Sequence, residues 1–365
     1  MGTVTSVADL IPVQEGWADI LVPKDHTRKG PGKVGGGPFY NAAMSTPRHV
    51  SVLFLTAVAE RVGRVLDGLA STGIQGIRFA LEVPTALDVT LNDRREESCE
   101  LIRRNVERNG LTEARVLCED LNALLPTERF DYVDVDPFGS PAPFVENALR
   151  ALRPEGFLAV TATDTAPLAG TYPKTCRRRY DARPVAGPFR HEAGVRILAG
   201  FVTRTAARLE MAARPLLSMW REHFYKVYFR VRFGARRADA ALGQLGYLDY
   251  PDKKERLVGS TGEAGPLWVG PLHDAALLAR MSLPEYMPPL VGRLLETWRG
   301  EADAPPLFYT TDEVAHHLRI SPPSLAETLR RLAGGGFEGH RTSFDPKGFK
   351  TNAGWEDVLR LLRPP

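Results

Sequence analysis

The chain has 365 residues, 43% hydrophobic and 25% charged, with a net charge of only +3, the make-up of a soluble globular protein with room for about two domains. No run of about 20 apolar residues occurs, so nothing reads as a membrane-spanning helix, and residues 1–15 lack the basic-then-apolar layout of a signal peptide, so a cytoplasmic protein is expected. Three cysteines, Cys99, Cys118 and Cys176, form no CxxC pair; that spacing fits neither a disulfide framework nor a zinc site and predicts three reduced thiols and no metal.

The first forty residues are dense in Gly and Pro and are expected to be loop. The pattern then turns helical across 48–66, and short apolar runs begin to alternate with helical ones. Strands are predicted at 64–69, 88–91, 115–118, 132–135 and 157–161. A helix is predicted over 96–109, with Leu101, Ile102 and Val106 on one face and Gly110 as its stop, and another over 144–152. Strand–helix alternation of this kind predicts a parallel sheet covered on both faces by helices, and right-handed crossovers make it doubly wound and Rossmann-like. A second regime begins near Pro215, where Trp220, Phe224, Tyr225, Tyr228 and Phe229 follow at short intervals, as in strands packed on a helix. The expected division is therefore 1–214 and 215–365. Near the end, Thr310 and Glu313 form a capping box opening a helix to Leu318. Ser321 and Pro322 fit the N-cap and first position of a second helix to about Leu332, with Gly334-Gly-Gly336 and an extended stretch after it. Two helices, a tight turn and a ribbon give a winged-helix-like end, a shape that serves nucleic-acid and protein contacts alike.

Charge is unevenly spread. Residues 174–214 carry ten Lys and Arg against Asp181, Glu192 and Glu210, +7 in a chain whose remainder sums to −4. Such a segment is either a polyanion-binding surface, with Arg177, Arg178 and Arg179 at its centre, or a solvated helix face.

After the first strand of the alternating region, Ser71, Gly73 and Gly76 form an SxGxxG loop that lets backbone approach a ligand and opens a helix N-terminus. Asp93, twenty residues past Gly73, ends the next strand, where a carboxylate can accept both ribose hydroxyls. Glu119-Asp120 follows the third strand, where an acid can accept an adenine amine. These parts suit a nicotinamide dinucleotide or S-adenosylmethionine.

The most specific local feature is Asp134-Val-Asp-Pro-Phe-Gly-Ser-Pro141 at the end of a buried strand, the edge where open α/β sheets place their chemistry. The lone pair of an aromatic exocyclic amine is delocalised into its ring and attacks a methyl sulfonium poorly. A carboxylate and a carbonyl accepting its two N–H groups favour the nucleophilic form, and a stacked ring fixes the base in line with the S–CH3 bond. Asp136 supplies the carboxylate, Pro137 the carbonyl and Phe138 the ring in this reading. Asp164, at a later strand end, is expected to orient the base or cap a helix. A base buried in a folded nucleic acid must be flipped out to reach such a pocket.

Together with Pro38-Phe-Tyr-Asn41, Gly73-Ile-Gln-Gly-Ile-Arg-Phe-Ala-Leu-Glu82, Leu91-Asn-Asp93, Thr161-Ala-Thr-Asp-Thr-Ala-Pro-Leu168, His191-Glu192 and Gly265-Pro-Leu-Trp268, that segment resembles the tRNA guanine-26 N2-dimethyltransferase family over most of the chain. The resemblance implies a class I methyltransferase domain followed by a smaller mixed α/β C-terminal domain. It also implies S-adenosyl-L-methionine as cofactor and tRNA as partner, in a protein expected to be a monomer with no obligate protein partner. By resemblance, Arg48, Gln75, Asp93, Asp120 and Leu121 line the cofactor site with the loop residues Ser71, Gly73 and Gly76. Asp136 and Phe138 hold the target guanine, with Phe39 at the pocket mouth. The basic segment and the C-terminal end, including Arg341 and Lys350, grip tRNA. Family members often carry arginine where Gln75 stands. Some have paired cysteines between the segments like 246–248 and 265–268, which are absent here and leave no zinc expected. The rival readings are a methyltransferase of the same chemistry acting on DNA or protein amides, a non-catalytic RNA-binding protein, and a nicotinamide dehydrogenase, for which no acid–base residue stands out.

Overall fold

The computed structural model describes residues 10–27, 30, 37–250 and 255–364. The chain divides into two compact units. The first holds the residues up to Thr163 with Tyr228–Gly234 and Arg280–Gly292; the second holds Asp164–Val227, Ala235–Ala279 and the chain from Arg293 onward.

The first unit opens with an antiparallel hairpin of β1 (Leu10–Glu15) and β2 (Ala18–Pro23), where the sequence reading expected loop. Ala18, Ile20 and Val22 are all fully buried, the period of two that pins a strand to a core. The Gly- and Pro-rich run at 29–36 that coloured the whole N-terminal region lies, Gly30 apart, outside the described residues. Then come α1 (Ser45–Val58), β3 (Arg64–Asp67), α2 (Ile74–Glu82), β4 (Asp88–Asn92), α3 (Glu96–Arg108), β5 (Arg115–Leu117), α4 (Leu121–Leu124), β6 (Phe130–Val135), α5 (Ala142–Arg150) and β7 (Leu152–Ala162). All five strands expected of the alternating region are present. The strands run β5-β4-β3-β6-β7, every pair parallel. The order turns back between β3 and β6, which makes the carboxyl ends of those two strands the switch point where open α/β sheets bind ligands. The 228–233 half of β9 (Phe224–Phe233) continues the sheet beyond β7. Gly110, at φ 67°, follows the C-cap of α3 as expected.

Two of the three thiols expected to be reduced are joined: Cys99 on α3 and Cys118 after β5 form a disulfide, with Cα atoms 5.8 Å apart, while Cys176 is free and buried. No sequence spacing signals this pair. It arises because the helix returns beside the strand that follows it.

The second unit holds α6 (Thr165–Leu168), α7 (Pro173–Tyr180), α8 (Arg190–Ala207), β8 (Met211–Arg221), the start of β9, α9 (Ala235–Leu242), β10 (Leu245–Asp249), β11 (Leu257–Gly259), β12 (Ala264–Trp268), α10 (Ala275–Arg280) up to Ala279 and, from Arg293 onward, α11 (Pro289–Glu301). The division expected at 214/215 falls inside this unit, within β8. The physical reason is that α8 is buried almost all round, from Glu192 to Ala206, and such a helix needs cover on every side; β8 and β12 supply it. This gives the second unit nearly the length of the first.

The C-terminal end is β13 (Tyr309–Thr310), α12 (Thr311–Leu318), α13 (Leu325–Gly334), β14 (Gly339–Arg341), β15 (Gly348–Thr351) and α14 (Trp355–Leu362), around a core of Val314, Leu332, Phe349, Trp355 and Val358. The sheet order β13-β15-β14 with its helices matches the winged-helix-like expectation. The Thr310–Glu313 capping box forms as read. The next helix is capped by Ser324, not Ser321. Pro323 biases Pro322 away from helical backbone, so the helix starts only after the second proline.

Candidate active site

The site of the first unit is built on the ends of β3, β4 and β6. Asp67 and Asp134 stand side by side in the register of β3 and β6, and the Gly68 amide donates to the Asp134 carbonyl at 3.1 Å. A Cβ on Gly68 would lie 2.9 Å from that oxygen, so only glycine lets the loop leave the sheet here.

The loop then passes Ser71 and Gly73, both left-handed at φ 55° and 79°. Glycine takes this conformation freely, whereas serine is strained in it. The Ser71 strain is offset by three hydrogen bonds. Its amide donates to an Asp93 carboxylate oxygen at 3.0 Å, its hydroxyl donates to the Phe39 carbonyl at 2.9 Å, and that hydroxyl accepts from the Phe39 amide at 2.7 Å. The other Asp93 oxygen accepts from the Arg95 amide at 3.0 Å. Gly76 donates its amide to Asp67 at 2.9 Å, inside the first turn of α2. Gln75, beside it, buries an amide nitrogen that has no hydrogen-bond partner among the described residues, an orphaned donor in a loop shaped to receive a polar ligand. Asp120 caps α4 through the Asn122 amide at 2.9 Å and is exposed, while Leu121 is buried beneath Gly68.

The Asp136-Pro137-Phe138 turn follows β6, with Asp136 and Phe138 exposed and Pro137 buried. Phe39 meets Phe138 edge to face, ring centres 4.8 Å apart, so the Ser71–Phe39 bonds tie the turn's aromatic wall to the cofactor-type loop. Thr163 braces the turn from behind. Its hydroxyl accepts from the Gly139 amide at 2.6 Å and approaches the Pro137 carbonyl at 3.4 Å, and its amide donates to the Gly139 carbonyl at 3.0 Å.

Arg48 sits in a buried ionic network. It pairs with Glu15 at 2.5 Å and donates to the Asn41 carbonyl at 3.1 Å, and its charge is also stabilised by Asp136. Arg78, fully buried, bridges Glu15 at 2.9 Å and Glu82 at 2.6 Å. Burial pushes the Glu15 carboxyl up, but the Arg48 and Arg78 guanidiniums outweigh it and hold it at about 2. Burial and then Arg78 bring His49 down to about 4, so it is neutral. Burial and then Glu15 push the Tyr40 hydroxyl up to about 12.

In the second unit, Asp164 is a brace. Its carboxylate receives Arg179 at 2.8 Å and the Tyr180 hydroxyl at 2.5 Å, anchoring the last turn of α7. Arg177 and Arg178 are exposed on that helix, as is Arg341 on β14. Lys350 corrects the sequence expectation. It is buried at 2% exposure, 2.9 Å from Glu192 and 3.6 Å from Glu301, because β15 is the central strand of its sheet and points this side chain inward. It joins the core and does not present its charge to tRNA. His191 opens α8, stacked on Trp220 with ring centres 3.8 Å apart, and Glu192 pairs with Arg196 at 2.8 Å.

A family model, N2,N2-dimethylguanosine tRNA methyltransferase, matches residues 34–363. The chain belongs to that family. Among its relatives, the tRNA (guanine(26)-N(2))-dimethyltransferase of Pyrococcus furiosus is 36% identical across 97% of this chain and 99% of its own. That of Pyrobaculum arsenaticum is 42% identical across 89% of this chain and 91% of its own. The solved complex of Trm1 from Pyrococcus horikoshii with S-adenosyl-L-methionine superposes with a TM-score of 0.88 at 36% identity, covering 97% of this chain and all of the other.

For an N2,N2-dimethylguanosine tRNA methyltransferase, the sequence reading identified the loop, the turn and their aromatics, and missed four supports: Glu15 under Arg48, Asp67 under Gly76, Asn41 at the Arg48 guanidinium and Thr163 behind the turn. Asn41 and Thr163 carried a signal, as parts of the Pro38-Phe-Tyr-Asn41 and Thr161-Ala-Thr-Asp segments.

Proposed function

We propose that the protein transfers a methyl group to the exocyclic N2 amine of guanine 26 in tRNA, once or twice on the same nitrogen, by direct in-line displacement. When bound, S-adenosyl-L-methionine supplies the methyl group on an electron-deficient sulfonium. Ser71, Gly73, Gln75 and Gly76 are suited to hold its amino-acid end, Asp93 its ribose and Asp120 its adenine amine, with Arg48 keeping the floor of the site in place. The orphaned Gln75 amide nitrogen supports this fit.

The Asp136 carboxylate and the Pro137 carbonyl would each accept one N–H of the guanine amine. Both acceptors draw the amine out of conjugation and leave its lone pair aimed at the methyl carbon. As the N–C bond forms, the S–C bond breaks and the nitrogen gains positive charge, which Asp136 stabilises before it or water takes the proton. Phe138 would stack on the base with Phe39 backing it, which fixes the plane of attack. In the second round only one N–H remains, so one acceptor suffices.

The observation that carries the reading is the exposed Asp136–Phe138 turn, braced by Thr163 and joined through Phe39 to the strained glycine loop. Asp164 acts through α7 as a brace and not as an acid or base. Arg177, Arg178, Arg179 and Arg341 contribute to tRNA binding in the second unit. The chain acts as a monomer without an obligate protein partner, in the cytoplasm; among the described residues no helix is long and apolar enough to cross a membrane. Incubation with labelled S-adenosyl-L-methionine and unmodified tRNA, followed by nucleoside mass analysis, tests the proposal. It requires N2-methyl- and N2,N2-dimethylguanosine at position 26. Label on DNA or protein but not on tRNA would discard the substrate.

A further inference from the structure

Helix α7 is amphipathic in an unusual sense. Cys176 and Tyr180, four residues apart, are fully buried, while Lys174, Arg177, Arg178 and Arg179 are exposed. No acid lies within the helix. Elsewhere in this unit Arg330 and Arg331 stand beside Glu327, and Arg360 beside Asp357. On α7, among the described residues, only Arg179 has such a partner, Asp164. Lys174 and Arg177 have no ion pair among the described residues, and Arg178 reaches only the Thr175 hydroxyl at 3.2 Å. Cations left unneutralised in this way attract a polyanion.

Tyr172 immediately precedes the helix as its N-cap residue and is 59% exposed. Other large rings of comparable exposure have an aromatic neighbour, Phe138 meeting Phe39 and Trp17 meeting Tyr286. Tyr172 has neither a ring contact nor a side-chain hydrogen bond among the described residues. Its position is nonetheless fixed: its carbonyl accepts from the Thr175 and Cys176 amides at 3.0 Å each, Pro173 follows it, and Asp164 anchors the far end of the helix. A rigidly placed ring that contacts nothing, beside unpaired cations, matches the pairing of stacking platform and phosphate grip by which proteins hold unpaired nucleotides.

We propose that Tyr172 stacks on an unpaired base of the tRNA while Lys174, Arg177 and Arg178 contact the neighbouring phosphates. The inference rests on the reading of tRNA as substrate. It gives α7 two separable functions, a salt-dependent grip and a salt-independent stack.

The test is the affinity of the full-length protein for a fluorescent unmodified tRNA transcript, measured across a salt series. Tyr172→Ala should weaken binding about fivefold to 100-fold with an unchanged salt slope, and Tyr172→Phe and Tyr172→Trp should stay within about twofold of the parent. The Lys174→Gln/Arg177→Gln pair should instead make the log–log slope shallower by about 1.5 to 2. Affinity for S-adenosyl-L-methionine, read on the same preparations, should hold in every variant, and the KM for tRNA should follow the binding loss. Unchanged tRNA affinity in Tyr172→Ala would overturn the inference, as would a loss that phenylalanine fails to rescue. If the parent protein itself binds no tRNA, the substrate reading falls and takes this inference with it. If the parent binds and methylates tRNA while Tyr172→Ala does so equally, the inference falls alone.

Discussion

Replacing Lys350 with methionine separates the buried ion cluster from the tRNA-binding role expected from sequence. Lys350 lies between Glu192 and Glu301, both carboxylates fully buried. Methionine keeps most of the side-chain volume and removes the charge, leaving Glu192 with Arg196 at 2.8 Å and Glu301 with the Thr342 and Ser343 donors and His273 at 3.7 Å. Breaking one partner of a buried pair costs about 3–5 kcal/mol, which in a unit of this size lowers Tm by roughly 6–20 °C. The pH dependence gives a second signature. Burial pushes the Glu301 carboxyl up, but Lys350, then His273 and Ser343, hold it at about 2 in the folded protein, against an ordinary value of 4.5. Its contribution is therefore present above pH 4.5 and lost as pH falls towards 2. Without Lys350, burial dominates and the folded carboxyl rises above its unfolded value. The variant should then lose stability as pH rises above 4.5 and regain some as pH is lowered towards it. Thermal unfolding by circular dichroism over a pH series reads both effects. A Tm within about 2 °C of the parent with the same pH trend would mean that Lys350 is not held in this cluster, and would return it to the tRNA-facing surface.

Other expectations follow from the first unit. Asp136→Ala should lower methyl transfer at least 100-fold, about the loss of one transition-state acceptor, while calorimetry finds the affinity for S-adenosyl-L-methionine nearly unchanged; lost cofactor binding would reassign Asp136. Gly16→Ala should destabilise the protein by about 1–3 kcal/mol, because Gly16 is left-handed at φ 58° and a Cβ there would fall 2.2 Å from the Glu82 carboxylate that Arg78 and the Trp17 amide hold. An unchanged Tm would show that Glu82 is not held there. Thiol titration of the unfolded, unreduced protein should find one free cysteine, rising to three after reduction. Reduction should cost about 3 kcal/mol of stability for a loop of this length. Three free thiols before reduction would refute the Cys99–Cys118 link.

What was legible in the sequence was local. The strands and helices of the parallel sheet carry their periodicity within each segment, and the Asp134–Pro141 turn announces itself because proline, glycine and an exposed ring at a strand end have no packing purpose. The hairpin over 10–23 was hidden by the glycine-rich run after it, and the second helix of the C-terminal end was placed early because Pro323 acts on the residue before it. The rest is long-range. Lys350 reads as a surface cation until β15 takes the centre of its sheet, and the Glu15 carboxylate that pairs with Arg48 lies 33 residues earlier in the chain. The Cys99–Cys118 pair and the Ser71–Phe39 bonds likewise exist only once separate elements meet. Residues 164–214 were assigned to the first domain by sequence order, whereas burial of α8 on all sides places them in the second unit.

The central claim is that the exocyclic amine of guanine 26 is the atom methylated, held by the Asp136–Phe138 turn. The most direct test compares two otherwise identical tRNA transcripts, one with guanosine and one with inosine at position 26, inosine lacking only the N2 amine. The account predicts that both bind with similar affinity and that only the guanosine transcript takes methyl groups. Equal labelling of the inosine transcript would contradict it, placing the acceptor at another atom or another nucleotide.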